Sequence, residues 1–323
     1  MPIRDAFRTS VLSRNWRYHC ANIPKLEFDD ELWQGSDEYK LLLDIYSVLL
    51  LHRCPVLEFS LCISELESCC EIDQIILHLS RNTALDKFTL CMGLGNNHKL
   101  PSSFFSFQNL THLELQKCVI HPLASFYGFG RLTSLCFYDV IITKSTLLRF
   151  LSCCPKIKNF TLIEDELCFT ESVCSDFVDL FQYLPLIEHL QMNLCPVKLF
   201  ALGVIPQKFS SAIVHLNFLA PNIKKLKLKM CRYNPREVVS QIVDYSFIRL
   251  DRLILRELEI KNFTGMKPQM DFLKVILAKS PMLGRIRLTF DRKIDYQTGF
   301  RTVEKLRELQ LASSQATWKM FIY

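Results

Sequence analysis

Apolar residues recur along the chain in one short frame, in which the first, fourth and sixth positions are hydrophobic and polar residues alternate between them. Ile223 to Cys231 (IKKLKLKMC) shows the frame, with Ile223, Leu226 and Leu228 apolar and Cys231 closing it. Alternation with period two predicts a short strand that buries one side. The frame fits ten times in series, with central residues Leu26, Phe59, Phe88, Leu113, Leu135, Phe160, Leu190, Leu226, Leu258 and Ile286.

The distance between successive frames defines the repeat. Central residues are 22 positions apart between Leu113 and Leu135 and 36 apart between Leu190 and Leu226. One strand per unit, with an outer segment of variable length, is the signature of leucine-rich repeats. We therefore predict an α/β leucine-rich-repeat solenoid: a curved parallel sheet with helices and loops on its convex side.

The longer steps contain helical patterns that end at prolines. The spacing predicts helices at residues 38–52, 146–153, 176–184 and 270–279, each followed within three residues by a proline. Proline ends a helix because it forces the preceding residue out of the α region. The same spacing predicts two short helices within residues 1–18 and a further helix at residues 301–313. Residues 318–323 are predicted to form a closing strand that caps the repeats.

Composition narrows the function classes. The 323 residues are 49% hydrophobic and have a net charge of +6, which permits an acidic partner but does not indicate a dedicated nucleic-acid binder. The most apolar window, residues 41–57, is interrupted by Asp44, His52, Arg53 and Pro55, so we predict no membrane span. Without a secretory signal at the start, the 14 cysteines are expected to be reduced thiols of a cytoplasmic or nuclear protein.

Motifs of catalysis and of cofactor binding are absent from the sequence. It contains no P-loop, no dinucleotide-binding fingerprint, no H-E-x-x-H and no G-x-S-x-G. The pairs Cys69-Cys70 and Cys153-Cys154 lack a second pair at zinc-ligand spacing. We therefore predict a non-enzymatic protein without cofactor or metal.

Polar residues between the frame positions should line the concave face, since strand side chains alternate. We expect this face to change from mildly acidic to basic along the chain and its basic end to bind an acidic segment of a target protein. The alternative is that these charges only keep the sheet soluble. The candidate target-binding residues are Lys225, Lys227, Lys229, Arg285, Arg287, His112, His189 and Tyr138.

Two stretches resemble plant F-box proteins that have leucine-rich repeats and an FBD domain. Residues 2–18 (PIRDAFRTSVLSRNWRY) are similar to the second half of the F-box, and residues 272–283 (FLKVILAKSPML) to the most specific part of the FBD. The resemblance implies a partial F-box at 1–20, repeats at 21–249 and an FBD-like cap at 250–323. The family's F-box begins with a further helix that has no counterpart here, so we expect its N-terminal half to be missing.

The resemblance implies a substrate-recognition subunit of an SCF-type E3 ubiquitin ligase. Its F-box would bind a Skp1-like adaptor and its repeats would bind a target protein for ubiquitination. The alternative is a scaffold or decoy whose partial F-box no longer binds the adaptor. A receptor for a small ligand is a third alternative. The residues matching the adaptor-binding part of the F-box are Pro2, Ile3, Val11, Leu12 and Trp16.

Overall fold

The computed structural model describes most of the repeats in two compact units, Met1–Lys156 and Ile157–Tyr323, here called the N-terminal and C-terminal units. The described residues are 23–29, 38–64, 68–93, 95–121, 126–163, 183–194, 222–230, 253–309 and 312–322.

Five parallel strands form the sheet of the N-terminal unit. Their order in the sheet follows the sequence, and each strand pairs in register with the next repeat. Two shorter strands, β4 (His98–Lys99) and β6 (Cys118–Val119), form a second parallel pair beyond the strand ends. The five main strands are β1 (Lys25–Asp29), β2 (Glu58–Ile63), β3 (Lys87–Met92), β5 (His112–Gln116) and β7 (Ser134–Tyr138).

The outer segments of this unit are helical where the repeat is long. The helices are α1 (Glu38–Leu51), α2 (Cys70–Ser80) and α3 (Lys144–Ser152), with a 3-10 helix at Ser102–Ser106. The side chain of Thr143 caps α3 by accepting a hydrogen bond from the backbone N–H of Thr146 at 3.3 Å.

The C-terminal unit repeats the scheme with six parallel strands. Neighbouring strands again pair in sequence order and in register. Two helices follow the later strands, α4 (Lys267–Lys279) and α5 (Tyr296–Arg307). The strands are β8 (Asn159–Ile163), β9 (His189–Leu194), β10 (Lys225–Met230), β11 (Glu257–Phe263), β12 (Arg285–Phe290) and β13 (Thr317–Phe321).

The frame residues of the repeats form the core. Apart from Ile23, which is half-buried, the three apolar positions of all ten frames are at most 7% exposed. Fully burying such a side chain contributes about 1.5–3 kcal/mol. This burial, the parallel register and the helices confirm the predicted α/β leucine-rich-repeat fold.

A cluster of phenylalanines fills the N-terminal unit between strands and outer segments. Phe104 of the 3-10 helix is fully buried and contacts Phe88, Phe107 and Phe129, with ring centroids 5.7–5.8 Å apart. Phe150 of α3 continues the cluster onto β7. The tilted and edge-on ring geometry is the arrangement that aromatic pairs prefer.

A left-handed residue recurs at the same position of three repeats, directly after β5 and β7 and within β11. Lys117, Asp139 and Asn262 have φ values of 53°, 51° and 57°, and each lies two residues after the last apolar frame position. β5 and β7 end just before this position, whereas β11 continues to Phe263 with a shift in its register against β12. The buried thiol of Cys118 then donates to the carbonyl of Gln116 at 3.4 Å, as predicted for a cysteine that closes the frame.

Most predicted helices agree with the structure, and the differences have clear causes. Helices α1, α3 and α4 end before Pro55, Pro155 and Pro281. The helix predicted at 301–313 instead occupies Tyr296–Arg307, because the side chain of Asp295 caps it by accepting from the N–H of Thr298. Helix α2 was not predicted, although its buried isoleucines have helical spacing. The helices predicted at 1–18, residues 176–182 of the helix predicted at 176–184, and the proposed domain boundaries lie outside the described residues; residues 183 and 184 are not helical.

Candidate interaction surface

The polar face of the C-terminal sheet, here called the basic face, consists of the side chains between the frame residues of β10 to β13. On these strands it has seven cations and two carboxylates. Alternation places the side chains together on one side, opposite the buried leucines. The members are Lys225, Lys227, Lys229, Glu257, Glu259, Lys261, Arg285, Arg287 and Lys319.

Two rows of charges cross three strands of this face. In the first, Glu257 accepts from Lys225 at 2.9 Å and from Arg285 on its other side. The hydrogen bond from Lys225, with the charge of Arg285, holds the pKa of the Glu257 carboxyl below its ordinary value. In the second row, Glu259 lies 3.6 Å from both Lys227 and Arg287. Each glutamate therefore neutralises only part of the positive charge beside it.

The third row is positive on two neighbouring strands. Lys229 of β10 lies directly opposite Lys261 of β11 in the parallel register. Lys261 is 56% exposed in its side chain and lies 3.7 Å from Glu259, which already pairs with two other cations. Like charges in direct opposition across strands destabilise a sheet. An anionic group bound over this row would reduce the repulsion.

The polar face of the N-terminal sheet has the opposite balance. Strands β1 to β7 present four carboxylates and two lysines there, and Lys87 pairs with Glu58 at 2.7 Å. Burial raises the pKa of Glu114, and it raises the pKa of Tyr138 to about 12 with help from Cys136 and Glu114. This face is therefore mildly acidic, and its centre is largely uncharged.

The structure brings some of the predicted site residues together. The three lysines of β10 and Arg285 and Arg287 share the basic face, and His189 lies beside Lys225 on β9. His112 and Tyr138 lie on β5 and β7 of the N-terminal sheet, so they form part of a different surface. Pro2, Ile3, Val11, Leu12 and Trp16 lie outside the described residues. Glu257, Glu259 and Lys261 belong to the same surface, and their alternation between frame residues could have identified them as partners of the cations.

Sequence reasoning missed a Ser-His-Asp constellation in the N-terminal unit. Nδ1 of His98 lies 3.0 Å from the hydroxyl of Ser68, and its Nε2 lies 3.2 Å from Asp73 Oδ1. The imidazole side chain is only 3% exposed, and burial lowers its pKa more than Asp73 raises it. Since a buried ring is closed to a substrate, this group connects β4 to α2 rather than forming an active site.

Metal ligands, cysteines and apolar helices complete the picture of the described ranges. No group of three or more histidine, cysteine or acidic residues there has the arrangement of a metal site. The described cysteines are free thiols. No helix in the described part of the chain is long and apolar enough to cross a membrane.

The chain is similar to plant proteins over most of its length. Residues 74–183 match the family model for the leucine-rich repeats of the FBD-associated F-box protein At5g56370. The F-box/FBD/LRR-repeat protein At1g13570 of Arabidopsis thaliana is 24% identical over 90% of this chain and 87% of its own length.

Two further Arabidopsis thaliana proteins extend this similarity. The FBD-associated F-box protein At5g56370 is 25% identical over 89% of this chain and 70% of its own length. The F-box/FBD/LRR-repeat protein At4g00160 is 26% identical over 51% of this chain and 38% of its own length. These matches, with the parallel repeats of the fold, show that the chain is similar to the plant F-box/FBD/leucine-rich-repeat proteins.

Proposed function

We propose that this chain is a non-enzymatic substrate-recognition subunit of an SCF-type E3 ubiquitin ligase, acting in the cytoplasm or the nucleus. In this proposal residues 1–20 bind a Skp1-like adaptor and the polar faces of the repeats bind a target protein. The support is the similarity to F-box proteins over 90% of the chain, together with a repeat fold that presents a broad polar sheet face. Pro2, Ile3, Val11, Leu12 and Trp16 are the proposed adaptor contacts.

The target surface that we favour is the basic face. The observation that supports it is the presence of seven cations beside two glutamates on the described strands of this face. An acidic segment of the target would pair with the cations that Glu257 and Glu259 leave partly uncompensated. His189 would contact the same segment at the edge beside Lys225. His112 and Tyr138 would form a separate target contact on the N-terminal sheet.

The energy of single ion pairs and the screening by salt predict how binding at the basic face would depend on ionic strength. A single exposed ion pair is worth about 0–1 kcal/mol, so no one lysine should dominate. The summed field of several cations instead raises the association rate and makes it sensitive to salt. The Debye length is about 10 Å at 0.1 M ionic strength and about 3 Å at 1 M. Binding at the basic face should therefore weaken strongly across this range.

The first experiment tests adaptor binding. The whole chain and a version extended by an upstream F-box helix are each co-expressed with a Skp1-like protein and purified. Capture by the chain that is abolished by Trp16→Arg, but not by the exposed control Lys274→Glu on α4, supports the ligase role. Capture by neither version refutes that role and favours the scaffold or decoy alternative.

The second experiment tests the basic face independently of the adaptor. Binding of a fluorescent oligo-glutamate peptide is measured by anisotropy at low and high salt. Simultaneous reversal of Lys225, Lys227 and Lys229 to glutamate should lower the affinity at low salt by at least tenfold, while Lys274→Glu leaves it unchanged. Circular dichroism verifies that the variants fold. Equal affinity of wild type and triple variant at both salt concentrations would refute an acidic-segment site on this face.

A further inference from the structure

Two cysteines lie side by side on the polar face of the N-terminal sheet. Cys62 of β2 and Cys91 of β3 are direct partners in the parallel register. Both alternate with buried frame residues, and both are half-buried free thiols. Chain positions 29 residues apart are thus joined by the sheet into one dithiol.

The sheet places the two sulfurs within reach of each other. Neighbouring strands lie about 4.8 Å apart, which is inside the range of about 4.4–6.8 Å between Cα atoms that a disulfide spans. The two thiols lie close enough for each to shift the pKa of the other. The hydroxyl of Ser60 lies 3.7 Å from the Sγ of Cys62 on the same strand. The spacing between Cα atoms of the paired residues therefore permits a cross-strand disulfide.

The surroundings give the two thiols different reactivity. Hydrogen bonding from Cys91, assisted by Ser60, holds the pKa of Cys62 below its ordinary value. The contact with Cys62, burial and the charge of Glu114 raise the pKa of Cys91. The thiolate is the nucleophile in thiol exchange, and the Ser60 hydroxyl 3.7 Å from Cys62 Sγ can donate to a thiolate there. We therefore assign Cys62 as the attacking sulfur.

Four other described cysteines of this unit have different surroundings. Burial raises the pKa of Cys118 to about 12 and that of Cys154 to about 12, and both sulfurs hydrogen bond to backbone groups. Cys54 and Cys70 are exposed and lie outside the strands of the main sheet. A pair of contacting thiols on an open sheet face therefore distinguishes Cys62 and Cys91.

We propose that Cys62 and Cys91 form a reversible dithiol–disulfide site, modified by low-molecular-weight disulfides of the oxidised-glutathione class. The Cys62 thiolate attacks one sulfur of the oxidant, forming a mixed disulfide and releasing one small thiol. The deprotonated Cys91 sulfur then attacks Cys62 Sγ and releases the second small thiol. Two protein thiols are oxidised, one small disulfide is reduced to two thiols, and the protons lost by the protein are taken up by those thiols.

Closure would alter the face and connect two repeats covalently. The disulfide removes both S–H groups from a surface that also contains Glu114 and Tyr138, so its hydrogen-bonding capacity changes. In compartments that keep thiols reduced, disulfides of this kind are transient and respond to redox conditions. The site is thus suited to reversible modification, whereas Cys118 and Cys154 have structural roles.

The test uses the whole folded chain in buffers of graded oxidised-to-reduced glutathione ratio. Remaining thiols are alkylated, and the protein is digested without reduction for mass spectrometry. We expect a peptide pair joined through Cys62 and Cys91 that rises with the ratio and disappears after dithiothreitol. Cys136→Ser should retain the joined pair, whereas Cys62→Ser and Cys91→Ser should abolish it.

The single variants also test the direction of attack. Cys91→Ser should accumulate glutathione on Cys62 as a stable mixed disulfide, because the second attack is removed. In the Cys62→Ser variant, Cys91 should become glutathionylated at least several-fold more slowly than Cys62 does in Cys91→Ser. The proposal would be overturned if Cys62 and Cys91 of the wild type stayed reduced and were alkylated while Cys54 and Cys70 became glutathionylated. A peptide pair joined through Cys62 and Cys91 that forms only in urea would also overturn it.

Discussion

Replacing Phe104 with alanine is the sharpest test of how the N-terminal unit is stabilised. Phe104 lies on the 3-10 helix, is 0% exposed, and contacts four other phenylalanine rings. The substitution removes the whole ring from a site enclosed by β3, the segment before β5, and the loop that contains Phe129. Phe105 on the same helix is half-buried and contacts only Phe104 and Phe126 within the described phenylalanine cluster.

The structure sets the expected magnitudes. Truncating a fully buried phenylalanine costs about 3–5 kcal/mol, because lost transfer energy and a residual cavity add. Aromatic pairs contribute about 0.5–1.5 kcal/mol beyond burial, which places Phe104→Ala toward the upper end. Phe105→Ala removes a ring that is only half-buried and should cost roughly half of the full burial contribution, or about 0.8–1.5 kcal/mol. For a unit of 156 residues, Phe104→Ala should lower Tm by roughly 6–20 °C.

The assay is urea denaturation with hydrogen exchange of β3 and β5 peptides, so that unfolding of the N-terminal unit is observed directly. Phe104→Ala should accelerate exchange in both strands and lower the urea midpoint more than Phe105→Ala does. Phe104→Leu keeps most of the apolar volume and should recover part of the loss. If Phe104→Ala costs no more than Phe105→Ala, the ring cluster is not the core that we describe.

Three further predictions concern single sites. Gly128 has a φ of +91°, and a Cβ there would lie 2.0 Å from the Cys153 carbonyl oxygen. Gly128→Ala should therefore lower the free energy of unfolding by at least about 1–3 kcal/mol. Gly130→Ala, whose Cβ would meet nothing within 4 Å, should not lower it, and equal losses in the two variants would refute the argument. Thr143→Ala removes the α3 cap and should cost about 1 kcal/mol in urea titrations, whereas a fully stable variant would contradict this role. Burial lowers the pKa of His98 below its ordinary 6.5, so the unfolded chain binds the proton more tightly than the folded chain does. Stability should therefore fall as pH drops through about 6.5. The fall should be shallower in His98→Gln, and equal slopes of stability against pH in the two proteins would refute the assignment.

Local patterns predict some features of the candidate surfaces but not their pairings. Alternation alone places Lys225, Lys227 and Lys229 on a polar face, and the structure agrees. Alternation also places Glu257 and Glu259 on that face, but their pairing with both the lysines and the arginines depends on β11 lying between β10 and β12. The contact of Cys62 with Cys91 likewise depends on the register of β2 against β3. Pairing across strands joins residues that are far apart in the chain.

The sequence by itself determined the repeat strands, the residues that face the core, and the helix ends at prolines. These features follow from periodicity and backbone sterics, which act over a few residues. Tertiary structure decided the 3-10 helix around Phe104, the contact of His98 with Ser68 and Asp73, and the meeting of charges and thiols across strands. Such contacts depend on strand register and on how outer segments pack, and both are set by distant residues that bury one another.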